Sequence, residues 1–475
     1  MICARTLLPL ALTFALSCVP PQATPPPGSW EYIVDAPADG TREIGVEATF
    51  KGARTERLAI EASANAHVKG LAIRDGATWR PVSRQGDTWS EPACARECTL
   101  HYRIDLGDIA ETCDGHVDCA MRVGAATLSP ALAWLIHPSP KLDVPARLRV
   151  RTQNPAQFAS GLRSAGAPLS FTFRSIELDE GSFTAFGPMR RARAEVKGGT
   201  LDLVFLGKGM KQNDDAIGEW IVDSAGLVTS FFGRFPVAHA TVFVVPVPDT
   251  DDVVLGKVLS LAGASVAILV GADMPRTKTH DDWVLVHELF HLGFPSFRGE
   301  GRWLGEGLAT YYEPILRARG GWLSEKQLWA FFAHEMHRGL PRKDATGAEP
   351  PLVQRDDIDG IYWGGALFAL LADVALRKMD GPRAHSLDEV MRATLARDGD
   401  ATHVWTVADV MRFADESTQT HVMTDLCRTH AMASTPIDLD ALLASLGVEL
   451  RASGEVVLHD DRPLSKVRKG IISTR

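Results

Sequence analysis

The 475-residue chain predicts an α+β multidomain protein, with an N-terminal antiparallel β domain, a mixed middle third and a helical C-terminal domain. Three observations predict it. Short segments of alternating polarity, punctuated by Gly, Pro, Asp and Ser, fill residues 30–199. Strand-like and helix-like patterns mix from 200 to 322, and helical spacing dominates from 323 to 450. The length also passes the ~300 residues at which one hydrophobic core stops growing. A composition of 45% hydrophobic and 23% charged residues is ordinary for globular domains and excludes a disordered or coiled-coil chain. Fifty Lys and Arg against 59 Asp and Glu give a net charge of -9, without the basic excess that phosphate backbones attract. No nucleic-acid partner is expected.

Taken in order, residues 1–17 read as a signal peptide: Arg5 precedes the apolar run Leu7 to Leu16, which is too short to cross a bilayer. Ala15-Leu16-Ser17-Cys18 resembles a bacterial lipobox, so a lipid anchor at Cys18 and a place in the cell envelope are expected. Residues 18–29 form a Pro-rich linker. In an exported chain Cys94, Cys98, Cys113 and Cys119 are expected to form two disulfides, with three pairings open, and Cys427 to be a buried thiol.

Within the β domain, Leu100 to Leu106 and Ala146 to Arg151 alternate with a period of two. Leu201 to Leu206 and Ala240 to Val247 read as further strands, and Asp214 to Phe231 and Trp283 to His291 as helices. The apolar stretch Val253 to Ala272 is interrupted by Lys257 and is too short to span a membrane. It reads as a helix up to about Ala262, a break at Gly263, then a buried strand Ser265 to Val270. Helices follow at Glu325 to His337, Ala366 to Met379, Leu387 to Ala396, Val407 to Phe413 and Leu439 to Leu446. Residues 451–475, with Arg462, Lys466, Arg468 and Lys469, read as a solvated tail.

The informative segment is His287-Glu288-Leu289-Phe290-His291. Helical positions four apart share a face, so both imidazoles reach one metal ion while Glu288 points beside it. Neutral imidazole is a good Zn2+ ligand, and a carboxylate held off the metal can take a proton from water and pass it to a leaving amine. Thr279 or His280 suits the helix N-cap, Asp281 and Asp282 its positive end, and Gly293 its stop. A catalytic zinc site needs a third protein ligand. Glu306, separated from His291 by the 14 residues Leu292 to Gly305 and lying in Trp303-Leu304-Gly305-Glu306-Gly307-Leu308-Ala309-Thr310-Tyr311-Tyr312, is the candidate. Glu313, on the same helical face but beside Pro314, and the loop residue Glu300 compete with it. The third histidine of the metzincins is absent.

These segments resemble the gluzincin metallopeptidases, and within them the glycyl aminopeptidase family. Phe232-Gly233-Arg234-Phe235-Pro236, Tyr362-Trp363-Gly364-Gly365-Ala366-Leu367, Leu371-Ala372-Asp373 and Ser386-Leu387-Asp388-Glu389-Val390 extend the likeness. The resemblance implies a thermolysin-like catalytic domain over 200–322, Zn2+ as cofactor and a peptide or protein substrate. It also implies that Tyr362 donates a hydrogen bond to the oxyanion, although Gly364 stands where the family carries a Lys. No PDZ domain is expected. The segment Gly263 to Gly271 lacks the carboxylate that aminopeptidases offer to a substrate amine, so an extended or blocked peptide is expected as substrate. The expected function is thus an exported zinc metallopeptidase, and the rival is a catalytically inactive peptidase-like scaffold or binding protein of the cell envelope.

Overall fold

Alternation of buried and exposed side chains builds the first lobe of the protein. The computed structural model describes residues 28–36, 42–297, 299–343, 347, 349–379 and 385–473. The signal segment and Cys18 lie outside the described residues. Seven strands, β1 (Ser29–Asp35), β2 (Glu43–Lys51), β3 (Val68–Asp75), β4 (Thr78–Pro81), β5 (Glu97–Asp105), β6 (Pro145–Arg151) and β7 (Ser170–Arg174), form one sheet in the order β7-β6-β1-β2-β5-β3-β4. All neighbours run antiparallel except β1 and β6, which are parallel from Trp30 against Ala146 onward. In β2, β5 and β6 every second residue is buried, as a sheet with one face on a core requires. Two inward tyrosines satisfy their hydroxyls on the chain packed beneath: Tyr32 donates to the Ile136 carbonyl at 3.0 Å and Tyr102 to the Trp134 carbonyl at 3.0 Å. Cys94 pairs with Cys98 and Cys113 with Cys119, one of the three pairings open to sequence. Cys427 is free and buried.

The second lobe begins earlier than the sequence suggests. Strand β8 (Met189–Val196) pairs along its whole length with β9 (Gly199–Leu206), and so joins a second sheet rather than the first lobe. With β10 (His239–Val247), β11 (Val253–Leu259) and β12 (Ser265–Gly271) the order is β8-β9-β10-β12-β11. The central strands are parallel and buried on both faces, which explains their near-continuous Val, Leu and Ile runs. One face, through Val204, Phe243, Ala267 and Leu269, packs on Leu128 and Phe183 of the first lobe. The other receives helix α1 (Asp214–Phe232) through Leu203, Val242 and Ile268.

The helix expected over Val253 to Ala262 is instead the edge strand β11, hairpinned antiparallel onto β12. Its turn is anchored on the first lobe, where the Arg163 amide donates to the Ala262 carbonyl at 2.9 Å. Tertiary pairing overrides a short apolar run whose Val residues are equally at home in a strand.

Helices α2 (Val284–His291), α3 (Arg302–Arg319), α4 (Gly365–Arg377) and α5 (Leu387–Ala396) complete the core around the site. Helix α4 continues a π-helical segment, Asp359–Gly364. The combined run Asp359–Arg377 is long and apolar enough to span a membrane, but 78% of its apolar window is buried in the protein, the mark of a core helix. Where α3 crosses this run the backbones touch: a Cβ on Gly307 would lie 2.3 Å from Gly365 Cα, so no larger residue fits without separating the helices.

Residues 451–475 do not end in a solvated tail. Val456–Leu458 pairs with Val448–Leu450, and Ser465–Ile472 forms helix α6. Arg468 is 1% exposed and donates to the carbonyls of Leu446, Gly447 and His459 at 3.1–3.3 Å and to Glu325 at 2.9 Å. A charge pattern read as solvated hides one cation that gathers carbonyl acceptors. Arg468→Ala leaves those acceptors and part of Glu325 unpaired and should lower stability by about 2–4 kcal/mol in urea unfolding monitored by circular dichroism.

Candidate metal centre

Helix α2 starts because Asp282 accepts from the amides of Val284 and Leu285 at 3.2 and 3.1 Å. The cap expected at Thr279 or His280 therefore falls two to three residues later. Thr279 turns its hydroxyl onto the Arg276 carbonyl, and the His280 ring stacks on Trp322 at 4.1 Å. Helix α3 holds this start from the side. Arg317 bonds the carbonyls of Asp281 and His280 at 2.8 and 3.3 Å while pairing with Glu313 at 2.8 Å. Glu313, the competing third ligand, is thus spent on a clamp between the two helices. Pro314 does not break α3, because Glu313 and Arg317 continue in register around it.

One and a half turns into α3, Glu306 faces the imidazoles. His287 Nε2 lies 3.2 Å from Glu306 Oε2, His291 Nε2 lies 3.3 Å from the same oxygen, and the two Nε2 atoms are 3.2 Å apart. Among the described residues His287, His291 and Glu306 form the one group of three or more His, Cys, Asp or Glu able to hold an ion. The fit can be tested by geometry. Three tetrahedral donors about 2.0–2.1 Å from zinc stand about 3.3 Å from one another, which is the triangle observed. The donor set, two imidazoles and a carboxylate with the fourth direction open, suits a catalytic rather than a closed structural site. Glu300, the other competing ligand, is exposed and outside the group.

Burial and charge shape the site unevenly. His287 is 2% exposed and lies between two rings, Trp283 edge-on at 5.5 Å and Tyr362 stacked at 6.0 Å. Burial works to raise the Glu306 carboxyl, but the two imidazoles outweigh it and hold that carboxyl well below the usual range. Burial opposes charging of His291, yet Glu306 beside it raises its pKa. Burial pushes Glu288 up.

Glu288 packs under the edge strand: a Cβ on Gly256 would meet its Cγ at 2.3 Å and its Cδ at 2.8 Å. Gly256 is a site residue that sequence reading missed. Its signal, a lone glycine inside a β-branched run that marks close backbone approach, was legible but hidden by the helical reading of that run. Tyr362 sits in the π-helical segment, a device common at functional sites. Its hydroxyl is pushed up to about 12, first by burial and then by Glu306 and Glu288, while Arg302 beside it pulls the other way. Behind the site, Tyr311 donates to Asp373 at 2.9 Å and Tyr312 to Asp388 at 3.1 Å, and Arg377 and Arg319 pair with the same acids. The Leu371-Ala372-Asp373 and Ser386 to Val390 segments therefore support α3 from below. His137 and His239 stay apart from the centre: His137 is buried against the Pro138 carbonyl, and His239 pairs with Asp202 at 2.9 Å.

No family model and no curated protein matches the sequence. Comparison with solved structures shows that the chain has the fold of M1 zinc metallopeptidase and aminopeptidase N family structures. The chain is similar to an aminopeptidase N family protein from Idiomarina loihiensis, with a TM-score of 0.65 at 17% identity over 88% of this chain and 79% of that one. It is also similar to an M1 zinc metallopeptidase mutant from Deinococcus radiodurans bound to a Tyr-Ser-Ala substrate, with a TM-score of 0.52 at 15% identity over 87% of this chain and 95% of that one. These names are those of aminopeptidase N and M1 proteins, so the likeness to the glycyl aminopeptidase family rests on the sequence segments alone.

Zinc titrated into metal-free protein should bind one per chain, and Glu306→Ala should lose stoichiometric metal in elemental analysis while Glu300→Ala keeps it. A second outcome concerns the clamp. Burial raises the Glu313 carboxyl to about 7, against the pull of Arg317, from an ordinary value of 4.5. The folded chain then holds a proton that the unfolded chain has released, so the linked stability is complete below the unfolded value and is lost as pH rises toward about 7. Glu313→Gln should flatten this part of the stability profile in urea midpoints measured across that window.

Proposed function

We propose that this chain is an exported, zinc-dependent metallopeptidase of the cell envelope, with His287, His291 and Glu306 as the metal ligands. The observation that carries the reading is the 3.2–3.3 Å triangle of ligand atoms with a half-buried carboxylate outside it, Glu288, on the adjoining helical position. Bound in that triangle, zinc would polarise a peptide carbonyl and make a water acidic enough to attack it. The remaining work belongs to the chain. Glu288 takes the proton from the attacking water and delivers it to the leaving amine, and burial raises its pKa, which makes it a stronger base. Gly256 supplies the close backbone that keeps this carboxylate in place. Tyr362, still protonated at neutral pH, offers its hydroxyl to the developing oxyanion. The disulfides in the first lobe agree with an oxidising compartment, and a lipid anchor at Cys18 would tether the enzyme to the membrane.

A catalytically inactive scaffold is the alternative, and Glu288 separates the two because nothing in its packing gives it another use. Glu288→Gln should keep zinc content unchanged and lower peptide hydrolysis by about 10²–10⁴-fold, the usual worth of a general base. Tyr362→Phe should lower kcat by about 10²–10³-fold with metal retained. Equal cleavage by wild type and Glu288→Gln across a broad peptide library would favour the scaffold.

A further inference from the structure

Of the eleven tryptophans, Trp79 and Trp283 are the two that stand well exposed, at 42% and 49%. Arg74 covers the Trp79 ring at 5.0 Å and His101 tilts against it at 5.6 Å. Trp283 has a single ring contact among the described residues, with the metal-ligand candidate His287, which stands perpendicular to it with the centroids 5.5 Å apart. The indole has no duty in starting α2, because Asp282 caps the helix and the Trp283 side chain makes no cap bond. Half an indole in water beside a ligand ring is apolar surface that the fold itself leaves uncovered.

Helical spacing gives this ring its place. The His287 amide donates to the Trp283 carbonyl at 3.1 Å, so Trp283 is already in helical register. Trp283, His287 and His291 then stand four residues apart on one stripe, and the indole continues the metal-binding face by one turn. The neighbouring stripe is closed: a Cβ on Gly256 would lie 2.8 Å from Val284 Cγ1 and 2.3 Å from Glu288 Cγ, so β11 lies over Val284 and Glu288. The exposed indole therefore sits on the stripe that carries both imidazoles, beside the one that carries Glu288.

We propose that Trp283 is the specificity-determining residue of this site and selects peptides with an aromatic or large aliphatic side chain within about two residues of the scissile bond. The inference rests on the peptidase reading of the same centre and adds a substrate class to it. The 5.5 Å from indole to ligand ring is less than two residues of extended chain at about 3.3 Å each, so a peptide whose carbonyl is held at the metal can lay a flanking side chain on the indole. An aromatic or aliphatic group gains by covering the exposed half of the ring, and an aromatic one adds ring-to-ring geometry. A lysine gains little from an indole face that stays half in water, and an alanine is too small to cover it.

Internally quenched peptides that differ only in Phe, Leu, Ala or Lys at a position flanking the cleaved bond test this on zinc-loaded protein. Wild type should favour Phe and Leu over Ala by about ten- to hundredfold in kcat/KM, the range over which apolar bulk is discriminated, and should favour them over Lys as well. Trp283→Ala should reduce the Phe-to-Ala ratio by about fivefold or more, while Trp283→Phe keeps most of it, and both variants should retain stoichiometric zinc in elemental analysis. A role limited to holding the His287 ring would lower the rates on all peptides by the same factor or cost the protein its metal; either result would overturn the proposal, as would a preference for Lys. Calorimetric titration of the same peptides into zinc-loaded Glu288→Gln protein, with and without Trp283→Ala, reads selection without turnover. Tighter binding of Phe than of Ala peptides that disappears with Trp283→Ala supports the inference even if wild type cleaves nothing, an outcome that removes the peptidase reading alone. Equal binding of Phe and Ala peptides rejects the inference even if peptides are cleaved.

Discussion

Helix α3 must keep one register against α2, and the rest of the second lobe is arranged to enforce it. The same helix delivers Glu306 to the imidazoles and, two turns later, the Glu313–Arg317 pair that grips the carbonyls before α2. Its far side carries Tyr311, Tyr312 and Arg319, whose polar ends are met by Asp373 and Asp388. Buried charges of this kind contribute little net stability against apolar replacements, but each is costly to leave unpaired, so a shift of α3 by one residue would be penalised at several points together. The backbone contact between Gly307 and Gly365 adds a steric limit from the other direction and ties the π-helical segment with Tyr362 to the same reference.

The parts legible in the sequence were those fixed by local periodicity. Helical spacing located α1, α2, α4 and α5 because their apolar stripes face one core, and it brought His287 and His291 to a common face. Glu306 was legible because a loop and a glycine-flanked apolar helix leave it the carboxylate on the most rigid support. The failures share a cause of their own. Val253 to Leu259 is a strand only because β12 pairs with it, and β8 belongs to the second lobe only because β9 does. Arg468 is buried because carbonyls distant in sequence converge on it. None of these partners is signalled by the residues themselves. The N-cap at Asp282 rather than Thr279 was a choice among several suitable residues, settled by where Arg317 pins the preceding chain.

A fold retained at 15–17% identity fits this division. Sheets buried on both faces and helices with one apolar stripe accept many apolar combinations of similar volume. The few positions that admit little change are those where a charge is buried, a backbone is approached or a ligand atom must converge. In this chain they include Gly256, Glu288, Glu306, Gly307 and Asp373, scattered over more than a hundred residues of sequence yet packed around a single centre.

The junction between the lobes carries one more consequence. Val204, Phe243, Ala267 and Leu269 find their cover in residues of the first lobe, and the β11 to β12 turn is pinned to it through Arg163. A fragment starting at the second sheet would present a broad greasy surface to water and release the very hairpin that roofs Glu288. The first lobe therefore acts as an inseparable half of the body that holds the candidate metal centre, and proteolytic or engineered removal of it would yield an aggregating remnant instead of a minimal folded unit.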